Sequence, residues 1–280
     1  MKGVAQRYRS GQDDSRILKG VGVRLALLLL VALVLTACAS LQARKSPPPL
    51  TVSAASSLTF AFQELAPRFE ERTGIPVTFN FGATGQLAQQ IENGAPVDAF
   101  AAAHISFVEQ LADQGFILRD TITVYGRGRL VLWQRADSPL RVETLEDLRR
   151  PEIRRVAIAN PEHAPYGVAA RQALQAAGVW DQVQPKLVIA GNVRQALQYA
   201  ETGNVDVALV ALTLALQAQG GRWVLLPEEQ HAPIEQAIAV VAGSPREEAA
   251  REFVRFVSGP EGQAVLRRYG LALSAGGRQP

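Results

Sequence analysis

Four short segments combine small or hydroxyl-bearing residues with the start of a predicted helix. They cover residues 56–59 (SSLT), 83–86 (ATGQ), 164–167 (APYG) and 191–194 (GNVR). Each resembles a helix N-cap followed by backbone N–H groups that have no carbonyl partner inside the helix. The start of a helix carries about half a positive charge together with these free donors, so it can hold an anion. The segments predict an anion-binding site if the fold brings several of them together.

The elements that must position these segments alternate along the chain from residue 50 onward. Predicted strands cover residues 50–54, 77–81, 97–101, 129–133, 155–159, 186–189, 205–210, 223–226 and 237–241. Helical patterns lie between them, and the clearest apolar helical face consists of Leu58, Phe62, Leu65 and Phe69. Alternating strands and helices with continuous apolar strands indicate parallel sheets covered on both faces. In such α/β sheets ligands bind at the carboxyl ends of the strands, where the four segments are predicted to lie.

The N-terminal part of the chain predicts export and lipid attachment. Six basic residues precede an unbroken apolar run, residues 25–35, which is shorter than a typical membrane-spanning helix. The run ends in Leu-Thr-Ala-Cys, the pattern of a bacterial lipobox, so cleavage before Cys38 would leave its thiol for acylation. We therefore predict a lipoprotein signal peptide at residues 1–37 and a flexible tether at residues 38–48. The alternative is an incidental cysteine behind a plain signal anchor.

Cysteine count and charge exclude other classes of protein. Cys38 is the single cysteine, so the mature chain can form neither an internal disulfide nor a thiolate metal site. The chain has 29 basic and 26 acidic residues, and residues 1–37 hold six of the bases and two of the acids. The remainder has 23 bases and 24 acids, a net charge of −1, which gives no electrostatic support for nucleic-acid binding.

Longer motifs carry a specific resemblance to a known family. They are AASSLT (54–59), FGATGQLA (81–88), QIENGAPVD (90–98), NPEHAPYG (160–167), WD (180–181), PKL (185–187), NVRQAL (192–197) and RYG (268–270). Over residues 49–272 the chain resembles the molybdate-binding proteins of bacterial ABC importers. This resemblance implies a class II periplasmic binding protein fold: two α/β lobes, each a mostly parallel sheet flanked by helices, joined by two hinge crossovers. Lobe 1 would comprise residues 49–127 and 232–276, and lobe 2 residues 128–231.

The same resemblance implies a set of ligand contacts in the cleft between the lobes. By position, an oxyanion would be held by the hydroxyl and N–H groups of Ser57 and Thr84 and by the backbone N–H groups of Tyr166 and Val193. Some members use a tyrosine hydroxyl at the position of Ala211, so at Ala211 one donor is missing. Tyr166 or another backbone N–H group would have to supply it.

The absence of charged side chains at these five positions indicates which kind of anion could bind. None of the residues is acidic or basic, and molybdate and tungstate, which are fully deprotonated near neutral pH, need only donors. A phosphate that carries a proton needs an acceptor, usually a carboxylate. Sulfate also needs only donors, so charge does not exclude it, whereas pocket size and the resemblance argue against it. Molybdenum would thus be bound as an oxyanion through these donors, and no cation site or cofactor is predicted.

The sequence-based expectation is a monomeric substrate-binding lipoprotein in the periplasm or on the outer face of the cell membrane. It would capture molybdate or tungstate and deliver the anion to the permease and ATPase of an ABC importer. The alternatives are a binding protein for another oxyanion or small anion, or a lipid-anchored anion sensor. The residues argue against an enzyme, because Ser56 and Ser57 lack the glycine-flanked nucleophile elbow and the three histidines have no metal-ligand spacing.

Overall fold

The computed structural model describes residues 48–272 of the 280-residue chain. The predicted signal peptide, the predicted acylation site Cys38 and most of the predicted tether lie outside the described residues. Over the part that is described, none of the helices has the length and apolar character needed to traverse a bilayer.

The chain alternates strands and helices, as predicted. The strands are β1 (Leu50–Ala55), β2 (Val77–Gly82), β3 (Ala99–Ala102), β4 (Thr123–Gly128), β5 (Leu130–Arg135), β6 (Val156–Ala159), β7 (Leu187–Ala190), β8 (Val207–Ala211), β9 (Gly221–Leu225) and β10 (Ile234–Val240). The helices are α1 (Thr59–Thr73), α2 (Thr84–Glu92), α3 (Ile105–Asp113), α4 (Pro165–Ala176), α5 (Trp180–Val183), α6 (Val193–Glu201), α7 (Leu212–Ala215), α8 (Glu247–Ser258) and α9 (Pro260–Arg268). A 3-10 turn, Ser56–Leu58, joins β1 to α1.

Two five-stranded sheets form two lobes. The first has the order β2-β1-β3-β10-β4 and the second the order β7-β6-β8-β5-β9. In the first sheet only β10 runs against the other four strands, and in the second only β5 does. We call the half with the first sheet lobe 1 and the half with the second sheet lobe 2. The predicted α/β architecture of two mostly parallel, helix-flanked sheets is confirmed.

The chain passes between the lobes twice. Only Arg129 separates β4 of lobe 1 from β5 of lobe 2, and residues 226–233 return the chain from β9 to β10. The strands β4 and β10 are antiparallel neighbours, and their pairing is irregular between Gln236 and Ala237. β4 was not among the predicted strands, because TVYGRG contains two glycines and an arginine and lacks an apolar run.

The packing of α1 fixes the position of the first predicted anion-binding segment, residues 56–59. Leu58, Phe62, Leu65 and Phe69, the predicted helical face, are all fully buried. Phe253 of α8 packs edge-on against Phe62 and Phe69, with ring centroids 6.0 and 5.2 Å apart. Such aromatic pairs contribute about 0.5–1.5 kcal/mol each beyond their buried area. These contacts hold the start of α1, and hence the 3-10 turn before it, against the core of lobe 1.

Candidate functional site

The four predicted segments meet in one cavity between the lobes. Lobe 1 contributes the ends of β1 and β2, and lobe 2 contributes the segments that follow β6 and β7. Ser57, Thr84, Tyr166 and Val193 are among the residues that line this cavity. The fifth candidate, Ala211, is fully buried and is not among the lining residues. The structure therefore brings four of the five predicted residues together, and their role as ligands stays a prediction.

Alanine occupies the cap position at three of the four helical starts around this cavity. Ala55 precedes the 3-10 turn, Ala83 precedes α2 and Ala164 precedes α4. Alanine has no side-chain acceptor, and it is one of the weaker N-cap residues, costing about 0.5–2 kcal/mol relative to Ser, Thr, Asn or Asp. Of these four starts, only that of α6 has a side-chain cap, in which Asn192 accepts from the N–H of Gln195 at 3.0 Å. An anion in the cavity could supply the acceptor that the alanine caps lack.

The hydroxyl of Ser57 is the clearest unpaired group in the cavity wall. Ser57 is 1% exposed, and its Oγ has no hydrogen-bond partner among the residues that the structure describes. Buried side-chain polar atoms are almost always paired, because burying one without a partner costs free energy. The unpaired Ser57 hydroxyl therefore indicates a donor for a ligand that enters the cavity.

The hydroxyl of Thr84 is oriented by its own lobe. The backbone N–H of Ala103, which follows β3, donates to Oγ1 of Thr84 at 3.1 Å. This bond uses an acceptor lone pair of the hydroxyl oxygen and leaves its proton available for donation. Thr84 is 1% exposed, so this proton also lies in a dry environment.

Direct hydrogen bonds join the lobes beside the cavity, and in two of them the acceptor is a backbone carbonyl. The hydroxyl of Thr213 in α7 donates to the carbonyl of Ser57 at 2.6 Å, and the N–H of Gly85 in α2 donates to the carbonyl of His163 at 2.7 Å. A Cβ on Gly85 would lie 3.0 Å from the His163 carbonyl oxygen, so glycine permits this close approach. Thr213 was not among the predicted site residues, since no local pattern links residues 156 positions apart.

The cavity wall is electrically neutral. Of the described residues that line it, none is acidic or basic. Tyr166 is fully buried, and this burial raises the pKa of its phenol well above the usual range, although the neighbouring polar side chains of Gln236 and Ser57 act in the opposite direction. The phenol therefore stays protonated at any physiological pH and is a neutral donor. Within residues 48–272, no three His, Cys, Asp or Glu side chains are grouped so that they could hold a metal ion.

Comparison with known proteins gives consistent matches. The family model described as bacterial extracellular solute-binding protein matches residues 50–272. The molybdate-binding protein ModA of Rhodobacter capsulatus is 33% identical over 245 residues, which cover 88% of this chain and 93% of that protein. ModA of Escherichia coli K12 is 33% identical over 236 residues, covering 80% and 89%. The solved structure of the periplasmic molybdate-binding protein of Azotobacter vinelandii aligns with a TM-score of 0.76 and 31% identity, covering 80% of this chain and 99% of that one.

Proposed function

Because this chain belongs to the bacterial extracellular solute-binding protein family, we propose that it binds molybdate or tungstate outside the cytoplasm and delivers the anion to an ABC importer. The names of the relatives in Rhodobacter capsulatus and Escherichia coli support molybdate as the ligand. One observation carries the proposal within this molecule: a neutral cavity, lined by helix starts, in which the buried Ser57 hydroxyl has no partner among the described residues.

The chemistry of the cavity suits a fully deprotonated oxyanion. Ser57, Thr84 and Tyr166 offer hydroxyl protons, and the starts of α2, α4 and α6 offer backbone N–H groups. Each hydrogen bond to a charged group contributes about 1.5–3 kcal/mol net, so several neutral donors can hold a dianion without a counter-charge. A protonated phosphate would place its O–H against a wall that has no carboxylate to accept it.

The contacts between the lobes supply a way to capture and release the anion. The bonds from Thr213 to Ser57 and from Gly85 to His163 join the lobes directly, so separation of the lobes would break both. An anion that contacts both lobes binds the closed form better and shifts the population toward it. The permease would then recognise the closed form and receive the anion when the lobes separate.

Attachment to the membrane is a separate part of the proposal. The lipobox ending at Cys38 supports acylation of the mature N-terminus, and residues 38–48 would tether the lobes to the membrane surface. One acyl chain gives only marginal attachment, whereas two or three give durable binding. The protein would thus remain on the outer face of a membrane, near the permease and its ATPase.

Calorimetric titration of the purified protein tests the choice of ligand. We expect molybdate and tungstate to bind far more tightly than sulfate or phosphate, with little change in affinity around neutral pH. Phosphate binding that equals or exceeds molybdate binding would refute the argument from a wall without carboxylates. Tight sulfate binding with weak molybdate binding would keep the oxyanion site but change its ligand.

A further inference from the structure

A series of buried polar groups leads from the cavity into the strands that connect the lobes. The Nε2 group of Gln236 donates to the phenol oxygen of Tyr166 at 3.1 Å. The phenol of Tyr125 lies within donating distance of two acceptors, Oε1 of Gln236 at 3.2 Å and the carbonyl of Ala102 at 3.0 Å. Gln236 is 0% exposed and Tyr125 is 2% exposed. These groups link Tyr166 in lobe 2 to β3 in lobe 1.

This series lies where the lobes join. Tyr125 belongs to β4 and Gln236 to β10, the two strands next to the crossovers, and Gln236 adjoins the irregularity in their pairing. The phenol of Tyr166 packs directly on the backbone of Gly128, the last residue of β4. A Cβ at Gly128 would overlap the phenol oxygen and would lie 2.7 Å from Nε2 of Gln236. Only glycine leaves room for this arrangement.

The direction of these hydrogen bonds decides what the Tyr166 proton can do. In the observed arrangement the phenol oxygen accepts from Gln236, so its own proton remains available toward the neighbouring Ser57 side chain and the cavity that both residues line. If the amide of Gln236 turned by half a rotation, its oxygen would face Tyr166 and take that proton. Tyr125 would then accept from the amide and donate to Ala102 alone. Both directions satisfy the amide, but only the first leaves a phenol donor for a ligand.

We propose that Gln236 and Tyr125 are positioning residues that keep the Tyr166 phenol proton available to the bound anion, and so link occupancy of the cavity to the hinge strands. The inference rests on the proposed function. The Tyr166 phenol would replace the tyrosine hydroxyl that some family members have at the position of Ala211. A bound anion accepts the Tyr166 proton and thereby favours the hydrogen-bond direction in which Tyr125 donates to Gln236.

Molybdate titration of four proteins tests the inference: the wild type, Tyr166→Phe, Tyr125→Phe and the double variant. Both substitutions keep the buried ring and remove one hydroxyl. We expect Tyr166→Phe to weaken binding by about tenfold or more, as the loss of a charge-assisted hydrogen bond predicts. Tyr125→Phe removes the donor to Gln236, so the amide turns, takes the Tyr166 proton and weakens binding several-fold. In the Tyr166→Phe background, Tyr125→Phe should have no further effect on affinity.

The outcomes separate this inference from the proposed function. If the wild type binds neither molybdate nor tungstate, both fail. If the wild type binds but Tyr166→Phe is as tight, or if Tyr125→Phe weakens binding equally in both backgrounds, only the inference fails. Thermal unfolding of the anion-free variants shows whether any loss reflects the fold instead of the donor.

A spectroscopic measurement adds a readout that a purely structural role would not change. The ultraviolet absorption of tyrosine is sensitive to donation by the phenol. Adding molybdate to the wild type should therefore produce a tyrosine difference band, and Tyr166→Phe should lose most of it. An equal band in both proteins would overturn the assignment of the Tyr166 proton to the anion.

Discussion

At the scale of single residues, the two hydroxyls of lobe 1 differ in what they do without a ligand. The Ser57 Oγ is buried and has no partner among the described residues, whereas Oγ1 of Thr84 accepts from the N–H of Ala103. An unpaired buried hydroxyl costs free energy in the anion-free protein, whereas the hydroxyl of Thr84 stabilises its own lobe as an acceptor. Removing each hydroxyl should therefore affect binding alike and stability differently.

We expect Ser57→Ala to weaken molybdate binding by about 1.5–3 kcal/mol, roughly ten- to a hundredfold, because one charge-assisted hydrogen bond is lost. The free energy of unfolding of the anion-free protein should not fall, since no existing hydrogen bond is removed. Calorimetry and denaturant unfolding measure the two quantities. Ser56→Ala is the matched control: Ser56 borders the same cavity but is not among the buried unpaired hydroxyls, so its loss should cost much less. A silent Ser57→Ala beside a damaging Ser56→Ala would place the contact one residue earlier.

Thr84→Val should lower both the affinity for molybdate and the free energy of unfolding of the anion-free protein. It removes a donor to the anion and also leaves the buried N–H of Ala103 without its acceptor, which costs about 1–3 kcal/mol of stability. The same two measurements apply. Weaker binding without a loss of stability would show that the Ala103 bond contributes nothing to the anion-free fold.

At the scale of elements, the short helix α7 acts across the cleft. Its Thr213 donates to the carbonyl of Ser57, so the lobe 1 turn that carries the unpaired hydroxyl is held from lobe 2. In an open form this carbonyl would be hydrated. The bond therefore favours closure without touching the anion.

We expect Thr213→Val to weaken molybdate binding by several-fold up to about a hundredfold, because the closed form would bury an unpaired carbonyl at a cost of about 1–3 kcal/mol. Thr202→Val is the matched control, since its hydroxyl donates to the carbonyl of Gln198 at the exposed end of α6. Small-angle scattering with saturating molybdate would show whether the Thr213 variant closes less completely. Equal affinities for both variants would contradict a role for α7 in closure.

At the scale of the whole molecule, the proposed function includes attachment of the binding domain to the membrane. The described residues form the binding domain, and the predicted anchor at Cys38 precedes it by about ten residues of tether. If Cys38 is acylated as proposed, a flexible tether of this length would keep the binding domain within tens of ångströms of the membrane surface. The local concentration of the loaded protein near a permease would be correspondingly high.

Cys38→Ser should release the protein from membranes or leave it as an unprocessed precursor, because Cys38 is the single thiol available for acylation. Membrane fractionation followed by immunoblotting measures both outcomes. Ser40→Ala, two residues further along, is the control and should be processed and retained like the wild type. A mature-sized Cys38→Ser protein in the membrane fraction would contradict the lipoprotein interpretation.

Local patterns in the sequence predicted the α/β class, the buried face of α1 and the four segments that meet at the cavity, and the family resemblance implied the two lobes. The local patterns could do so because apolar periodicity and helix starts are properties of neighbouring residues. Only the tertiary structure decided that the polar segment TVYGRG becomes β4, that Thr213 reaches Ser57, and that Tyr166 meets Gln236. Each of these depends on groups 70 to 156 residues apart or on pairing with β10, and hydrogen bonds across two lobes leave no periodic signal along the chain.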